Sequence, residues 1–299
     1  MYALQLATTS ALMPQLFPIP ARRLTVKALA SGQETEVLAF LAARPIHTVI
    51  MAGLIRDNGL VSTLNRGTFL ACRDILGNLE GVALIGHVTM VETDNEEALQ
   101  LFAELAQAHQ RAHVIIGEQE KVRSFWDCYG PAGQAPRTVC RELLFEQRWP
   151  VQALEPVALR LATLDDLEIL APVHAQMAFE ECGVNPLEKD PIGFRERMAR
   201  RIELGRVWVW IEAGKLIFKG DIQSDTPEQI YLEGVYTNPA ERGKGYGLRC
   251  LSQLSRLLLA KSQSLCVLVN ELNAEAQLFY CKGGYKMRGY YDTIYLQTE

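Results

Sequence analysis

The chain has 299 residues, of which 48% are hydrophobic and 22% are charged. This length and composition predict a soluble globular protein with one large or two ordinary domains. The formal net charge of −5 at pH 7 offers no attraction for nucleic acid or an anionic membrane, so we expect neither as a partner.

The chain begins with an apolar stretch that lacks the basic start of a secretory signal. Pro14, Pro18 and Pro20 interrupt this stretch, and prolines inside a helix break it. We therefore expect residues 1–21 to form a loosely ordered arm rather than a signal peptide or a membrane span.

The first half of the chain then shows periodicity that alternates between strand and helix. The predicted elements are a strand over residues 24–28, helices over 34–43 and 46–56, strands over 68–72 and 81–89, a helix over 96–108, a strand over 113–117, a helix over 118–128 and a final strand over 138–145. We interpret residues 22–147 as one domain and residues 148–156 as a linker.

The second half, residues 157–299, repeats this order of elements more clearly. Its predicted elements before residue 240 are a strand over 157–162, helices over 164–179 and 191–204, and strands over 207–211, 216–222 and 230–235. The segment from Glu212 to Lys215 predicts a hairpin turn. Glu180 and Glu181 fall in the gap between the two helices.

A glycine-rich basic loop follows the strand over residues 230–235 and precedes leucines at helical spacing. Between Arg242 and Gly247, glycines alternate with Arg242, Lys244 and Tyr246. Glycines permit close backbone approach and positive φ, and a helix N-terminus with nearby cations favours a phosphate. The loop therefore predicts a site for a phosphorylated cofactor, with an ordinary flexible turn as the alternative. It is neither a Walker A loop nor a dinucleotide fingerprint.

A second motif follows a predicted strand over residues 265–270. Asn273 is suited to cap a short helix, and Tyr280 falls in the last turn of that helix. Gly283 or Gly284 is suited to end the helix in a left-handed conformation, and Tyr285 enters the final strand.

Together the two motifs resemble those of the GNAT N-acetyltransferase superfamily, over about residues 157–299. Arg242-x-x-Gly245-x-Gly247 is similar to the loop that holds the pyrophosphate of acetyl-CoA, and the pattern from Asn273 through Tyr280 to Tyr285 resembles the second signature. The resemblance implies an α/β fold (an α+β mixed sheet) with two GNAT-like domains in tandem. Each is expected to be a mostly antiparallel mixed sheet flanked by helices.

The first half lacks the cofactor loop that this resemblance would place in it. Residues 91–97 contain four carboxylates and no glycine, and carboxylates repel a pyrophosphate. We therefore predict that residues 22–147 bind no acyl-CoA and instead support, line or cover a substrate site.

The resemblance also implies roles for individual residues. The residues expected to bind acetyl-CoA are Val235, Tyr236, Thr237, Arg242, Gly243, Lys244, Gly245, Tyr246, Gly247 and Asn273. Tyr280 is the expected general acid, because a phenol can donate a proton to a departing thiolate without ionising beforehand.

The general base and the acceptor site are less closely specified. Glu233, on the strand that leads to the loop, is the first choice for the base, with a solvated strand face as the alternative. Glu180 and Glu181 are expected to bind the amine or to act as base, with a surface position as the alternative. Asp221 is a weaker candidate base.

These observations favour an acetyl-CoA-dependent N-acetyltransferase acting on a primary amine, either a small molecule or an exposed amino group of a peptide. A non-catalytic acyl-CoA-binding or sensor module and a transferase of another acyl group stay as alternatives, because the loop recognises the phosphates and not the acyl chain. The seven cysteines and five histidines form no ligand-spaced cluster, so we expect reduced thiols, a cytoplasmic location and no metal. A homodimer is compatible with the sequence.

Overall fold

The computed structural model describes residues 24–109 and 112–297, so the arm predicted for residues 1–21 lies outside the described part. The strands are β1 (Thr25–Ala28), β2 (Gly67–Arg73), β3 (Leu79–Gly86), β4 (Val88–Thr93), β5 (Val114–Glu118), β6 (Pro136–Gln147), β7 (Arg160–Leu161), β8 (Val207–Glu212), β9 (Lys215–Asp225), β10 (Ile230–Thr237), β11 (Leu265–Asn270) and β12 (Lys286–Leu296). The helices are α1 (Glu34–Leu41), α2 (Pro45–Asn58), α3 (Glu96–Gln107), α4 (Gln119–Tyr129), α5 (Leu167–Cys182), α6 (Pro186–Lys189), α7 (Pro191–Glu203), α8 (Tyr246–Leu259) and α9 (Ala274–Lys282).

The described strands form one mixed sheet, in the order β1-β2-β3-β4-β5-β12-β6-β11-β10-β9-β8-β7. The last strand of the first half, β6, lies between β12 and β11. The last strand of the second half, β12, pairs antiparallel with both β5 and β6. The two halves thus exchange their final strands, and residues of the first half reach the central region of the second.

The strand predicted over residues 138–145 is present as β6, and the exchange places it beside strands of the second half. In the structure β6 pairs antiparallel with β11, from Gln147 opposite Leu265 to Glu142 opposite Asn270. Phe145 is buried in the same core as Leu254 and Tyr280 of the second half. Alternating hydrophobicity identifies a strand but does not identify its partner strand, so the exchange could not be predicted from the sequence.

Three expectations differ from the structure. The strand predicted over residues 81–89 is divided into β3 and β4 at His87, where Gly86 lies too close to the Arg66 carbonyl to accommodate a Cβ. Of the strand predicted over residues 157–162, only Arg160 and Leu161 form a strand, β7. Glu180 and Glu181 lie in the last turn of α5 rather than between helices, because the chain leaves the helix only at Gly183, with φ of +70°.

Helix α8 shows how the sequence positions the site. Leu251, Leu254 and Leu258 recur at helical spacing and are buried. They pack in one cluster with Ile230 of β10 and Leu265 of β11, and burial of such side chains stabilises the fold by about 1.5–3 kcal/mol each. This packing holds the N-terminus of α8 beside the end of β10.

Candidate active site

Strands β10 and β11 separate after a short parallel ladder. Pairing is confined to Ile230 with Leu265 and Tyr231 with Cys266, although β10 continues to Thr237 and β11 to Asn270. The remaining edge of β10 therefore has no ladder partner in β11. The two strands thus diverge toward the glycine-rich loop.

A bulge in β10 accompanies the separation. The register against β9 shifts between Glu233 and Tyr236, and Gly234 has φ of +57°. A Cβ at Gly234 would lie 2.8 Å from Nζ of Lys219 and 3.0 Å from Oδ2 of Asp221. Glycine is needed here both for the backbone conformation and for space.

A buried ion pair holds this bulge. Nζ of Lys219 donates to the Gly234 carbonyl at 2.8 Å and to Oδ2 of Asp221 at 2.8 Å, and both side chains are about 1% exposed or less. Burial alone would raise the pKa of Asp221, but Lys219, a hydrogen bond from His174 and the charge of Arg201 outweigh it and bring the pKa well below its usual value. Asp221 is therefore an anchoring carboxylate and not the base that the sequence allowed.

We expect Asp221→Ala to lower the free energy of unfolding by about 3–5 kcal/mol, because it leaves the buried ammonium of Lys219 without its partner. Urea denaturation measures this difference. Asp165→Ala is the matched control, since Asp165 is exposed at the start of a helix and its removal should cost at most about 1 kcal/mol. Equal losses in the two variants would contradict the anchoring role.

The glycine-rich loop occupies the turn between β10 and α8. Gly243 and Gly245 have φ of +77° and +79°, and Gly245 is the residue that immediately precedes α8. Gly247 serves a different purpose: a Cβ there would lie 2.6 Å from Oγ1 of Thr237 and 3.3 Å from Phe279. Two glycines shape the loop and the third lets α8 approach β10, so the N–H groups at the start of α8 stand beside the open edge of β10.

The loop cations differ in their availability. Arg242 is exposed, and its Nε donates to the Thr237 carbonyl at 3.2 Å. Lys244 instead contacts Glu241 at 2.7 Å, and Lys215 contacts the same carboxylate at 2.7 Å. Hydrogen bonds from these two lysines lower the pKa of Glu241 to about 2. Arg242 is thus the freer of the two loop charges that the sequence assigned to phosphate binding.

A cleft of about 780 Å³ opens between the separated strands, α5 and the start of α9. Six of its lining residues carry the chemistry considered below: Glu142, His174, Glu180, Glu181, Glu233 and Tyr280. Val235 and Asn273 also line the cleft, whereas Tyr236, Thr237 and the loop from Arg242 to Gly247 lie beyond it along the chain. The structure therefore brings the predicted acid, base and acceptor residues to one cleft, with the predicted phosphate loop at one end of its β10 wall.

Tyr280 is held by aromatic packing. Its side chain is 6% exposed, with ring centroids 6.3 Å from Phe145, 5.3 Å from Phe279 and 5.4 Å from Tyr285. Burial, with a smaller contribution from Tyr285, raises the pKa of the Tyr280 phenol well above its usual range. The hydroxyl therefore stays protonated at neutral pH. The Asn273 side chain caps α9, as predicted, by accepting from the Ala276 N–H at 3.0 Å.

The carboxylates give the cleft an acidic character. Glu181 is exposed by surface area, yet it lines the cleft. Partial desolvation there, followed by repulsion from Glu233 and Glu142, raises the pKa of Glu181 to about 7, against a hydrogen bond from Tyr295. Burial and Glu233 also raise the pKa of Glu142, against a hydrogen bond from Thr293. Negative charge is thus crowded at this end of the cleft, where the Tyr295 hydroxyl donates to Oε1 of Glu181 at 3.1 Å.

Sequence reasoning missed two residues of the cleft. Glu142 belongs to β6 of the first half, and only the strand exchange brings it to this site. His174 lies within α5, with Nδ1 at 3.2 Å from Oδ2 of Asp221. No sequence motif marks His174, because its partner carboxylate is on a strand that is distant in the chain.

Residues 91–97, where the resemblance would place a cofactor loop in the first half, make side-chain contacts within that half. Glu92, at the end of β4, pairs with Arg44 at 3.0 Å and with Lys121 at 3.1 Å. Asn95 caps α3, since its side chain accepts from the N–H groups of Glu97 and Ala98 at 3.0 and 3.2 Å. The helix N-terminus that would face a phosphate is therefore satisfied by a side chain.

Comparisons with known proteins agree with this geometry. Residues 203–287 match the model of the acetyltransferase (GNAT) domain family. The fold is similar to that of a GNAT-family acetyltransferase from Colwellia psychrerythraea, with a TM-score of 0.57, 13% identity, and coverage of 91% of this chain and 100% of that one. A Drosophila protein gives a TM-score of 0.66 at 13% identity, covering 91% of this chain and 98% of its own.

A tandem GNAT protein from the clavulanic acid biosynthesis pathway is also similar, with a TM-score of 0.56, 11% identity, and coverage of 93% of this chain and 100% of that one. At these identities the likeness concerns the fold alone. Comparison with curated proteins gave no match.

Residues 203–287 thus match an acetyltransferase domain. More narrowly, this is a GNAT acetyltransferase domain within the second half, and the fold of the whole chain is similar to that of a tandem GNAT protein. Within residues 24–109 and 112–297, no helix is long and apolar enough to span a membrane. In the same residues, no cluster of His, Cys, Asp and Glu side chains is arranged to hold a metal ion.

Proposed function

We propose that this protein is an acetyl-CoA-dependent N-acetyltransferase that acetylates a cationic primary amine in the cleft between β10 and β11. The observation that carries the proposal is the shared cleft: a protonated tyrosine and several carboxylates line a gap whose β10 wall leads into a glycine-rich loop and a helix N-terminus. A long phosphorylated thioester and a positively charged acceptor fit these two ends.

The residues present fit the phosphate end of acetyl-CoA. The positive φ angles of Gly243 and Gly245, the 14-residue helix that follows and the exposed Arg242 supply main-chain donors, a dipole and charge. Val235, Tyr236 and Thr237 lie on the part of β10 without a ladder partner in β11. Their main-chain groups are suited to hold the pantetheine arm and the thioester oxygen, where one preorganised donor is typically worth about 2.7–4 kcal/mol.

Two side-chain roles follow for the acetyl transfer. Tyr280 holds a proton beside the cleft and gives it to the departing thiolate, whose thiol has an ordinary pKa of ~8.5. The carboxylates of Glu142, Glu181 and Glu233 attract an ammonium group, so the acceptor arrives in its charged form. Glu233, the base predicted from the sequence, lines the same cleft.

The proposal predicts thiol release from acetyl-CoA that depends on a cationic amine. We expect the purified chain to turn over acetyl-CoA with members of a panel of alkyl mono-, di- and polyamines and peptides with free amino groups. Amino acids whose carboxylate lies beside the amine should react at least ~10-fold less efficiently, because ~1.4 kcal/mol of repulsion from the acidic cleft gives that factor. Thiol release and mass spectrometry of the products measure both. No release with any amine, despite acetyl-CoA binding, would leave the non-catalytic acyl-CoA-binding module as the better interpretation.

The acyl group and the domain plan belong to the same proposal. Acetyl is the default, since the loop contacts phosphates in either case; a panel of longer acyl-CoA thioesters tests the alternative of another acyl group. We further propose that residues 22–147 and 157–299 are two repeats joined by residues 148–156, and that only the second binds acyl-CoA. A binding stoichiometry of one per chain is expected.

A further inference from the structure

We propose that His174, oriented by the buried carboxylate of Asp221, is the group that removes the proton from the acceptor amine. This inference rests on the proposed acetyl transfer and assigns a step of it to a residue that the GNAT motifs in this sequence do not include. It starts from position: His174 lies on α5 and lines the same cleft as Tyr280 and Glu233.

Contacts with Asp221 and Phe194 fix the ring of His174. Its Nδ1 lies 3.2 Å from Oδ2 of Asp221, and its ring packs at 5.7 Å from Phe194. With Nδ1 engaged by a carboxylate, Nε2 is the ring nitrogen left for a ligand, and a hydrogen bond at one nitrogen selects the tautomer at the other. The side chain is 19% exposed, which suits a group that meets substrate at the wall of a cleft.

Asp221 cannot turn away from this contact. It is 1% exposed, and the same Oδ2 accepts from Nζ of Lys219 at 2.8 Å and lies 3.5 Å from Nη1 of Arg201. Arg201 is itself held by Gln223, whose Oε1 accepts at 2.6 Å. Asp221 is thus a positioning residue that acts through His174 and never meets the substrate.

The charged groups around His174 come from four elements. Asp221 and Lys219 face it from β9, Arg201 from α7 and Glu233 from β10, and Glu180 and Glu181 lie further along its own helix. The two cations are bound to Asp221 or Glu233, so the unbalanced charge on the open side of the ring is negative. An ammonium group attracted by Glu233 and Glu181 is therefore brought to the face where Nε2 is available.

The contacts of the two side chains favour the imidazole of His174 over the carboxylate of Glu233 as the base. The two groups differ in their contacts: Nδ1 of His174 is engaged by Asp221, which leaves Nε2 to accept a proton, whereas the carboxylate of Glu233 lies near a cation. Glu233 lies 3.9 Å from Arg201, and 39% of its side chain is exposed. A carboxylate in that setting is better placed to bind the ammonium form than to neutralise it.

The step balances without any additional reactant. The ammonium nitrogen gives one proton to Nε2 of His174, and its lone pair forms the C–N bond to the thioester carbonyl carbon. The C–S bond breaks, and the thiolate takes the proton of Tyr280. The acylated nitrogen, which still carries two hydrogens, gives one of them to the Tyr280 oxygen, and His174 releases its proton to solvent, so that both side chains are restored. The products are the amide, the thiol and one proton.

The test is His174→Gln, whose amide can still donate to Asp221 and so preserve the buried network. We expect kcat for an alkylamine to fall by about 10²-fold or more, the usual contribution of a general base, with the KM for acetyl-CoA unchanged. The acidic limb of the kcat profile assigned to the base should disappear. His113→Gln is the control, because His113 contacts His87 in the first half and is not part of the cleft.

A second measurement separates proton removal from a structural effect. An acceptor that is already neutral at the assay pH, such as a hydrazine or an aromatic amine, needs no base before attack, so His174→Gln should lose at most a few-fold with it. Glu181→Gln should raise the KM for the alkylamine and leave the His174-dependent limb in place. An unchanged kcat and pH profile in His174→Gln would overturn the inference, as would an equal loss with charged and neutral acceptors. Absence of turnover in the unmodified chain would instead overturn the proposed function, because it involves no substitution.

Discussion

Replacing Gly245 by aspartate should weaken acetyl-CoA binding by about 10³-fold or more while the chain stays folded. A carboxylate at the first turn of α8 would lie beside the pyrophosphate, and two unit charges about 4 Å apart repel by about 4 kcal/mol at an effective dielectric constant of ~20. Each ~1.4 kcal/mol is a tenfold change in affinity. Calorimetric titration with acetyl-CoA measures the effect.

The fold should tolerate this substitution because the loop has room for it. Gly245 has φ of +79°, and no atom lies within 4 Å of a Cβ built there; aspartate is among the residues that adopt this left-handed region at modest cost. Gly77→Asp is the matched control, since Gly77 has φ of +88° and the same open surroundings in the first half. If Gly245→Asp and Gly77→Asp bind acetyl-CoA equally well, the phosphate site is not at this loop.

Local features of this site were predictable because they depend on neighbours in the sequence. The glycine-rich loop, the Asn273 cap and the strand before the loop each follow from residues within one turn or one strand of each other. The structure adds physical reasons that spacing alone does not give: Gly247 is needed because Thr237 lies 2.6 Å from its absent Cβ. The sequence also assigned Lys244 to phosphate binding, although its ion-pair partner Glu241 lies only three residues earlier in the chain.

The missed features depend on contacts between distant parts of the chain. Glu142 reaches the cleft only because β6 crosses into the second half. The sequence of residues 136–147 does not predict that β11 is their partner strand. The pairing of His174 with Asp221 joins α5 to β9, and neither residue is marked by a motif. The packing of the two halves therefore adds Glu142 to a cleft whose other carboxylates, including Glu181 and Glu233, come from the second half.

Tyr280→Phe should lower kcat by about 10²–10⁴-fold, the range typical of lost general acid–base catalysis, and leave acetyl-CoA affinity unchanged. Phenylalanine keeps the ring contacts with Phe145, Phe279 and Tyr285, so the loss would come from the hydroxyl and not from the packing. Because the pKa of Tyr280 is raised above its usual range, the native phenol remains protonated as the pH rises through neutrality. We therefore expect no alkaline loss of kcat that depends on Tyr280 between about pH 7 and 9, well below the usual phenol pKa of ~10.

The control for this substitution lies in the same core. Tyr285→Phe removes a hydroxyl that lies 3.0 Å from Oγ of Ser255, and Tyr285 does not line the cleft formed by β10, β11 and α5. It should cost about 0.5–1.5 kcal/mol of stability, as expected for one lost hydrogen bond, and keep kcat within a few-fold of the native value. Stopped-flow measurement of thiol release in both variants decides the point. A Tyr280→Phe variant with native kcat would require a proton donor other than Tyr280, whereas equal losses in both variants would mean that core packing, not proton donation, limits the rate.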